Sequence, residues 1–156
     1  MTEPRSERDT HLAYLRHLRR EVVRTLRDLD EEQVRRPGVP SGTSLLGIVH
    51  HLTGVEQHWF ERVFLTGDDV ERDRSFRPPA GATTAQVVAA YEAAGARSDE
   101  IVLAADGMEQ LAAMPNPGEE GLDTLRTITV HLVEETARHA GQADVLREML
   151  DGVTND

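Results

Sequence analysis

At 156 residues the chain suits one domain with a substantial core and is short for two. It carries a formal net charge of −11, contains no cysteine, and all 17 of its basic residues are Arg. Disulfides, thiolate ligands, a cysteine nucleophile and Schiff-base lysine chemistry are thereby excluded. The charge also opposes nucleic acid and anionic membrane, both of which need a basic face. No stretch approaches the roughly 20 apolar residues that cross a bilayer, and Met1 to Ser6 lacks an apolar signal core. A soluble, cytoplasmic protein is expected.

Four segments show helical periodicity and none alternates as a strand does, so the expected class is all-α. Helix one runs from Ser6, which opens a capping-box-like Ser-Glu-Arg-Asp, to Leu29, with Leu12, Leu15, Leu18, Val22, Leu26 and Leu29 on one face. Asp30-Glu-Glu-Gln33 caps one further turn before Arg36-Pro37-Gly38. Helix two follows Pro40-Ser-Gly-Thr43 and reaches Leu65, its inward stripe including Ile48, Leu52, Val55, Trp59 and Val63. Gly67 to Gly81 reads as loop, ended by Pro78-Pro79. Within it Arg72, Arg74 and Arg77, interleaved with Glu71 and Asp73, read as a solvated strip, with steering of a small acid toward a nearby cleft as the alternative.

Helix three starts at Thr83, paired with Gln86 in a capping box, and runs to Ala105 with Val88, Tyr91, Ile101 and Val102. A second long connection spans Asp106 to Gly121. Helix four takes the remainder, with Asp123 or Thr124 as N-cap and Gly152 just past its end. Four helices of this length, each about 33 to 42 Å, have the dimensions of a four-helix bundle over residues 1–156.

The last helix carries the chemistry. In heptads, Leu125, Leu132, His139 and Leu146 share one position, while Ile128, Glu135, Gln142 and Met149 share the position three residues on. Three polar groups thus interrupt an apolar seam, where an unpaired carboxylate beside an imidazole is costly unless something satisfies it. Glu135 and His139 at i and i+4 have β-carbons about 5 to 6 Å apart, which suits two ligands of one divalent ion. Chance alone yields roughly one such pair in a chain of this composition, and a second occurs at Glu7 and His11 in the fraying first turn of helix one.

A third ligand candidate lies on helix two. His51 falls on the apolar stripe between Ile48 and Val55, whereas His50 shares its face with Thr53 and Gln57. His58, His131 and Gln142 are candidates for orienting the ligands, with His131 also a candidate for the fourth position. The alternative reading is a buried hydrogen-bonded pair, tied to Arg138 or Gln142, that specifies helix register. Spacing leaves both open.

Two blocks add to this reading: Ser41-Gly-Thr-Ser-Leu-Leu-Gly-Ile-Val-His-His51-Leu-Thr-Gly-Val-Glu56-Gln-His-Trp59-Phe60 and His131-Leu-Val-Glu-Glu135-Thr-Ala-Arg-His139-Ala-Gly-Gln142-Ala-Asp-Val-Leu-Arg147-Glu148. They resemble the DinB superfamily, in the branch described as domain of unknown function 664. The resemblance implies a four-helix bundle in up-up-down-down order, often a homodimer, holding a divalent metal, zinc or nickel, on three protein ligands. The commonest DinB pattern has two His on the last helix. Here Glu135 replaces the first, which matches the mycothiol-dependent maleylpyruvate isomerase relatives and implies His51, Glu135 and His139 as the metal ligands.

With one position left open, the implied reaction is S-transfer or isomerisation in which a low-molecular-weight thiol, mycothiol or bacillithiol, attacks a small-molecule electrophile. A dimeric, non-catalytic stress or interaction bundle and a metal-dependent hydrolase are the alternatives.

Overall fold

The computed structural model describes residues 5–68, 73–114 and 123–154. Four helices make up the bundle: α1 (Glu7–Arg24), α2 (Leu45–Glu56, continuing as Gln57–Thr66), α3 (Thr84–Ala104) and α4 (Leu125–Asp151). No strand occurs among the described residues; one isolated bridge pairs Leu111 with Thr124. No described helix is long and apolar enough to cross a membrane.

Local chemistry sets the helix starts. The side chains of Ser6, Ser44, Thr83 and Thr124 accept from the backbone N–H of Asp9, Gly47, Gln86 and Thr127, each three residues on, satisfying donors that have no partner within the helix. At Thr83 and Thr124 the box is reciprocal. Gly67 and Gly152, at φ 73 and 75, supply the left-handed caps that end α2 and α4.

α1 stops five residues short of the expected Leu29. The carbonyls just past its end are claimed by a distant side chain: Arg147 donates to the carbonyls of Thr25 at 2.8 Å and Arg27 at 2.7 Å, and Asp28 turns left-handed at φ 62. Leu26 nevertheless stays buried, so the apolar stripe outlives the helix. Asp30 caps the short turn Gln33–Arg35 through bonds from the N–H groups of Glu32 and Gln33, as its sequence suggests.

The order of directions departs from the expected up-up-down-down. His11 meets Thr129 near the starts of α1 and α4, and Arg147 meets Thr25 near their ends, so these two helices run parallel. Arg8 reaches the carbonyls of Leu103 and Ala105 while Arg19 reaches Asp99, so α3 runs opposite to α1. Trp59 lies against His131 and His51 against His139, so α2 opposes α4. The sequence of directions is up-down-down-up.

This order requires a crossover, because α2 and α3 are parallel neighbours. The 22 residues from Leu45 to Thr66 span about 33 Å, and the chain must return that distance before α3 begins. The connection that reads as loop in sequence is therefore a strap along α2. Its Arg74 and Arg77 are exposed; Arg72 lies outside the described residues, as do 115–122 of the other long connection.

In its second half α2 widens to i→i+5 hydrogen bonding, ending with the Gly67 N–H on the Arg62 carbonyl at 2.7 Å. More residues per turn let two adjacent columns face inward, and Trp59, Phe60, Val63 and Phe64 are all buried. In α4 the heptad position of Leu125 stays buried through Leu146, but its companion drifts outward from Ile128 (0% exposed) to Met149 (65%). A straight helix of 3.6 residues per turn slips about 20° per heptad against a 3.5 repeat.

Between α1, α2 and α3 lies an ion network in which Arg19 donates two bonds to Glu56, at 2.7 and 2.9 Å, and one to Asp99 at 2.7 Å. Glu56 is 1% exposed, so its charge depends on that guanidinium. Replacing Arg19 with Met should destabilise the protein by about 3–5 kcal/mol, with much of the loss restored in the Arg19→Met, Glu56→Leu double variant, as read from urea midpoints.

Candidate metal centre

His51 comes from α2, and Glu135 and His139 from the facing stretch of α4. The antiparallel pairing brings the two motif blocks level. His51 and His139 are 7% and 6% exposed, and the Glu135 side chain 12%. Nε2 of His51 lies 3.6 Å, and Nε2 of His139 3.3 Å, from the same oxygen, Oε1 of Glu135. The three ligand atoms all fall within 4.8 Å of one another.

Neighbours bind the outer atoms of Glu135 and His139. Arg138 donates to Oε2 of Glu135 at 3.0 Å, on the oxygen that does not face the histidines. The Gln142 carbonyl oxygen lies 2.8 Å from Nδ1 of His139, and Nε2 of the same ring faces Oε1 of Glu135 at 3.3 Å. In the neutral ring with its hydrogen on Nδ1, shared with Gln142, Nε2 offers a lone pair into the same space as the carboxylate oxygen, an arrangement that a cation between them would satisfy. Burial pushes the Glu135 pKa up, but His139, Arg138 and His51 outweigh it and hold the group below the usual carboxylate range.

Arg138 and Gln142, named in the register-specifying alternative, are thus both present, and both leave the convergent atoms uncovered. Gln142 takes the orienting place expected of it. His131 and His58 stand outside the three-residue group: each meets the Trp59 ring edge-on, at 4.8 and 5.2 Å. The other sequence pair is spent elsewhere, with Glu7 bonded to Arg126 and His11 to Thr129. His50 faces Asp73 on the strap.

One member of the site was not legible in sequence. Phe76 stacks on His51 with ring centroids 4.1 Å apart and planes 9° from parallel, and its ring also flanks His139 at 5.5 Å. Phe76 reaches this place because α2 has glycines where the strap crosses it. A β-carbon at Gly47 would collide with the Phe76 carbonyl oxygen, and one at Gly54 would lie 3.2 Å from that of Asp73. Two glycines seven residues apart on a buried helix are the signal that could have traced the strap.

A helical bundle with inward Glu and His on facing helices is the architecture of metal sites built in bundle cores. A family model described as mycothiol S-transferase matches residues 10–152, and the chain belongs to that family. The family is DinB-like, in agreement with the resemblance read from the two sequence blocks. No curated protein matches the chain.

Gly47→Ala should displace the strap, lift Phe76 from His51 and cost about 1–3 kcal/mol, measurable as a lowered urea midpoint together with loss of nuclear Overhauser contacts between the two rings.

Proposed function

We propose that the protein is a metal-dependent thiol S-transferase, in which a low-molecular-weight thiol such as mycothiol or bacillithiol is joined to a small electrophile. The observation that carries this reading is the convergence of three potential ligand atoms, Nε2 of His51, Oε1 of Glu135 and Nε2 of His139, with the outer atoms of Glu135 and His139 engaged by Arg138 and Gln142. Donor atoms on a tetrahedral ion with bonds of about 2.0 to 2.2 Å stand roughly 3.4 Å apart, and two of the separations here are 3.3 and 3.6 Å. The donor set of two imidazoles and a carboxylate suits zinc, with nickel as the alternative.

His51, Glu135 and His139 would hold the ion. Bound with an open position, a divalent metal supplies Lewis acidity that lowers the pKa of a coordinated thiol or water. The side chains divide the remaining work. Gln142 holds His139 in the tautomer that offers Nε2, and Arg138 fixes the Glu135 carboxylate while compensating part of its charge. Phe76 covers His51, excluding water from that side of the site. The thiol must come from outside, since the chain has no cysteine, and family membership supports mycothiol or its analogues in that role.

The second reading, a structural or dimeric bundle whose polar cluster only fixes register, rests on the bonds that Arg138 and Gln142 already make within the cluster. Protein purified without added metal and analysed by elemental mass spectrometry should carry about one divalent ion per chain. His139→Ala should lose it, and protein that binds none even when metal is supplied would end the proposal. With metal established, conjugation of monochlorobimane should require mycothiol or bacillithiol; product formation that ignores the thiol would point to hydrolysis. Because protonation of the imidazoles competes with the metal, retention of the ion should fall as the pH is lowered, followed by equilibrium dialysis.

A further inference from the structure

Four glycines lie inside helices among the described residues, and three have a packing reason. A β-carbon at Gly47 would strike the strap, at Gly54 it would press on the strap, and at Gly95 it would lie 3.0 Å from Cδ of Arg19. Gly141, in the middle of α4, is different: its backbone is ordinarily helical and a β-carbon there would meet nothing within 4 Å. An interior helical glycine is less favourable than alanine, so this position carries a cost that the packing of the described residues does not require.

The open space at Gly141 belongs to a groove. Between the segment Val39 to Thr43 and the outer face of α4 lies a cavity of about 520 Å³, within the 300 to 1,000 Å³ typical of small-molecule sites. It adjoins the candidate metal centre, because Arg138 and Gln142 line it and bond directly to Glu135 and His139. Its walls carry Val39 and Val145, apolar side chains left 38% and 55% exposed, together with Leu146.

Several of its polar groups are engaged within the protein. Arg138 is bonded to both Glu134 and Glu135, Ser41 and Thr43 share a hydrogen bond at 3.3 Å, and the Gln142 oxygen is taken by His139. A groove whose cation is already held by two carboxylates, and whose walls are largely apolar, favours a neutral, apolar occupant. A polyhydroxylated thiol laid against the two valines would leave its hydroxyls without partners.

We infer that this groove binds the electrophile of the reaction, as the apolar body of a neutral small molecule, and that Gly141 keeps its floor clear. The inference rests on the S-transferase reading for the identity of the occupant. Its physical content, an apolar site whose floor is Gly141, is tested separately by binding.

Gly141→Ala and Gly141→Leu grow a side chain into the groove without touching the core. Both variants should retain the metal content of the unmodified protein, and Gly141→Ala should melt at the same temperature or higher. With mycothiol as thiol and monochlorobimane as neutral electrophile, Gly141→Leu should raise KM for the bimane at least tenfold and leave KM for the thiol within twofold. Titrating the zinc-loaded protein with monochlorobimane alone should shift amide resonances at Val39, Thr43, Gly141 and Val145, and Gly141→Leu should abolish those shifts.

An unchanged KM for the bimane, an equal rise in KM for the thiol, or resonance shifts clustered elsewhere would each overturn the inference. If the unmodified protein binds metal and the bimane at the groove yet catalyses no conjugation, the functional reading fails while the groove stands. If it catalyses conjugation yet Gly141→Leu and Gly141→Ala are kinetically indistinguishable from it, the groove assignment fails and the functional reading stands.

Discussion

A buried carboxylate oxygen facing two imidazole nitrogens dictates much of what surrounds it. Oε1 of Glu135 lies in the seam between α2 and α4 within 3.6 Å of both His51 and His139, largely removed from water. Such a group tolerates little misplacement, because its energy in a low-dielectric interior changes steeply with the distance to the charges that balance it. The neighbouring structure supplies constraint from each side: Arg138 on the second carboxylate oxygen, Gln142 on the far nitrogen of His139, and Phe76 over the face of His51. The rigidity of the site comes from these contacts as much as from the helices that carry it.

The helix order serves the same end. Opposing α2 to α4 places the motif of one against the motif of the other, while running α2 parallel to α3 forces the chain to retrace the length of α2. That return passes directly over the site. Glycines at 47 and 54 let the backbone lie close enough for Phe76 to become a wall of the cluster. A connection imposed by topology thus becomes a wall of the His51, Glu135 and His139 cluster, and the small residues beneath it make that close approach possible.

Charge is partitioned in the fold. The Arg19, Glu56 and Asp99 network ties α1, α2 and α3 together, and Arg147 closes the end of α1 from α4. Both are buried or nearly buried arrangements in which each formal charge has a partner. In the groove beside Gly141, Arg138 is held by Glu134 and Glu135, so the chain presents a polar cluster flanked by an apolar recess.

The all-α class, the four helices, their caps at Ser6, Thr83 and Thr124, and the trio His51, Glu135 and His139 were legible in the chain itself. Each depends on local periodicity or on polar residues breaking an apolar stripe, and such signals are carried within one or two helical turns. Heptad counting overreached at Met149, because a straight helix does not hold a 3.5-residue period, and the apolar stripe of helix one concealed its end because Arg147, far away in sequence, captures the carbonyls there. The up-down-down-up order, the strap, Phe76 beside His51 and the open space at Gly141 were decided only by the tertiary structure. They are relations between segments distant along the chain, and the spacing of residues within one segment holds no information about which others will come to lie against it.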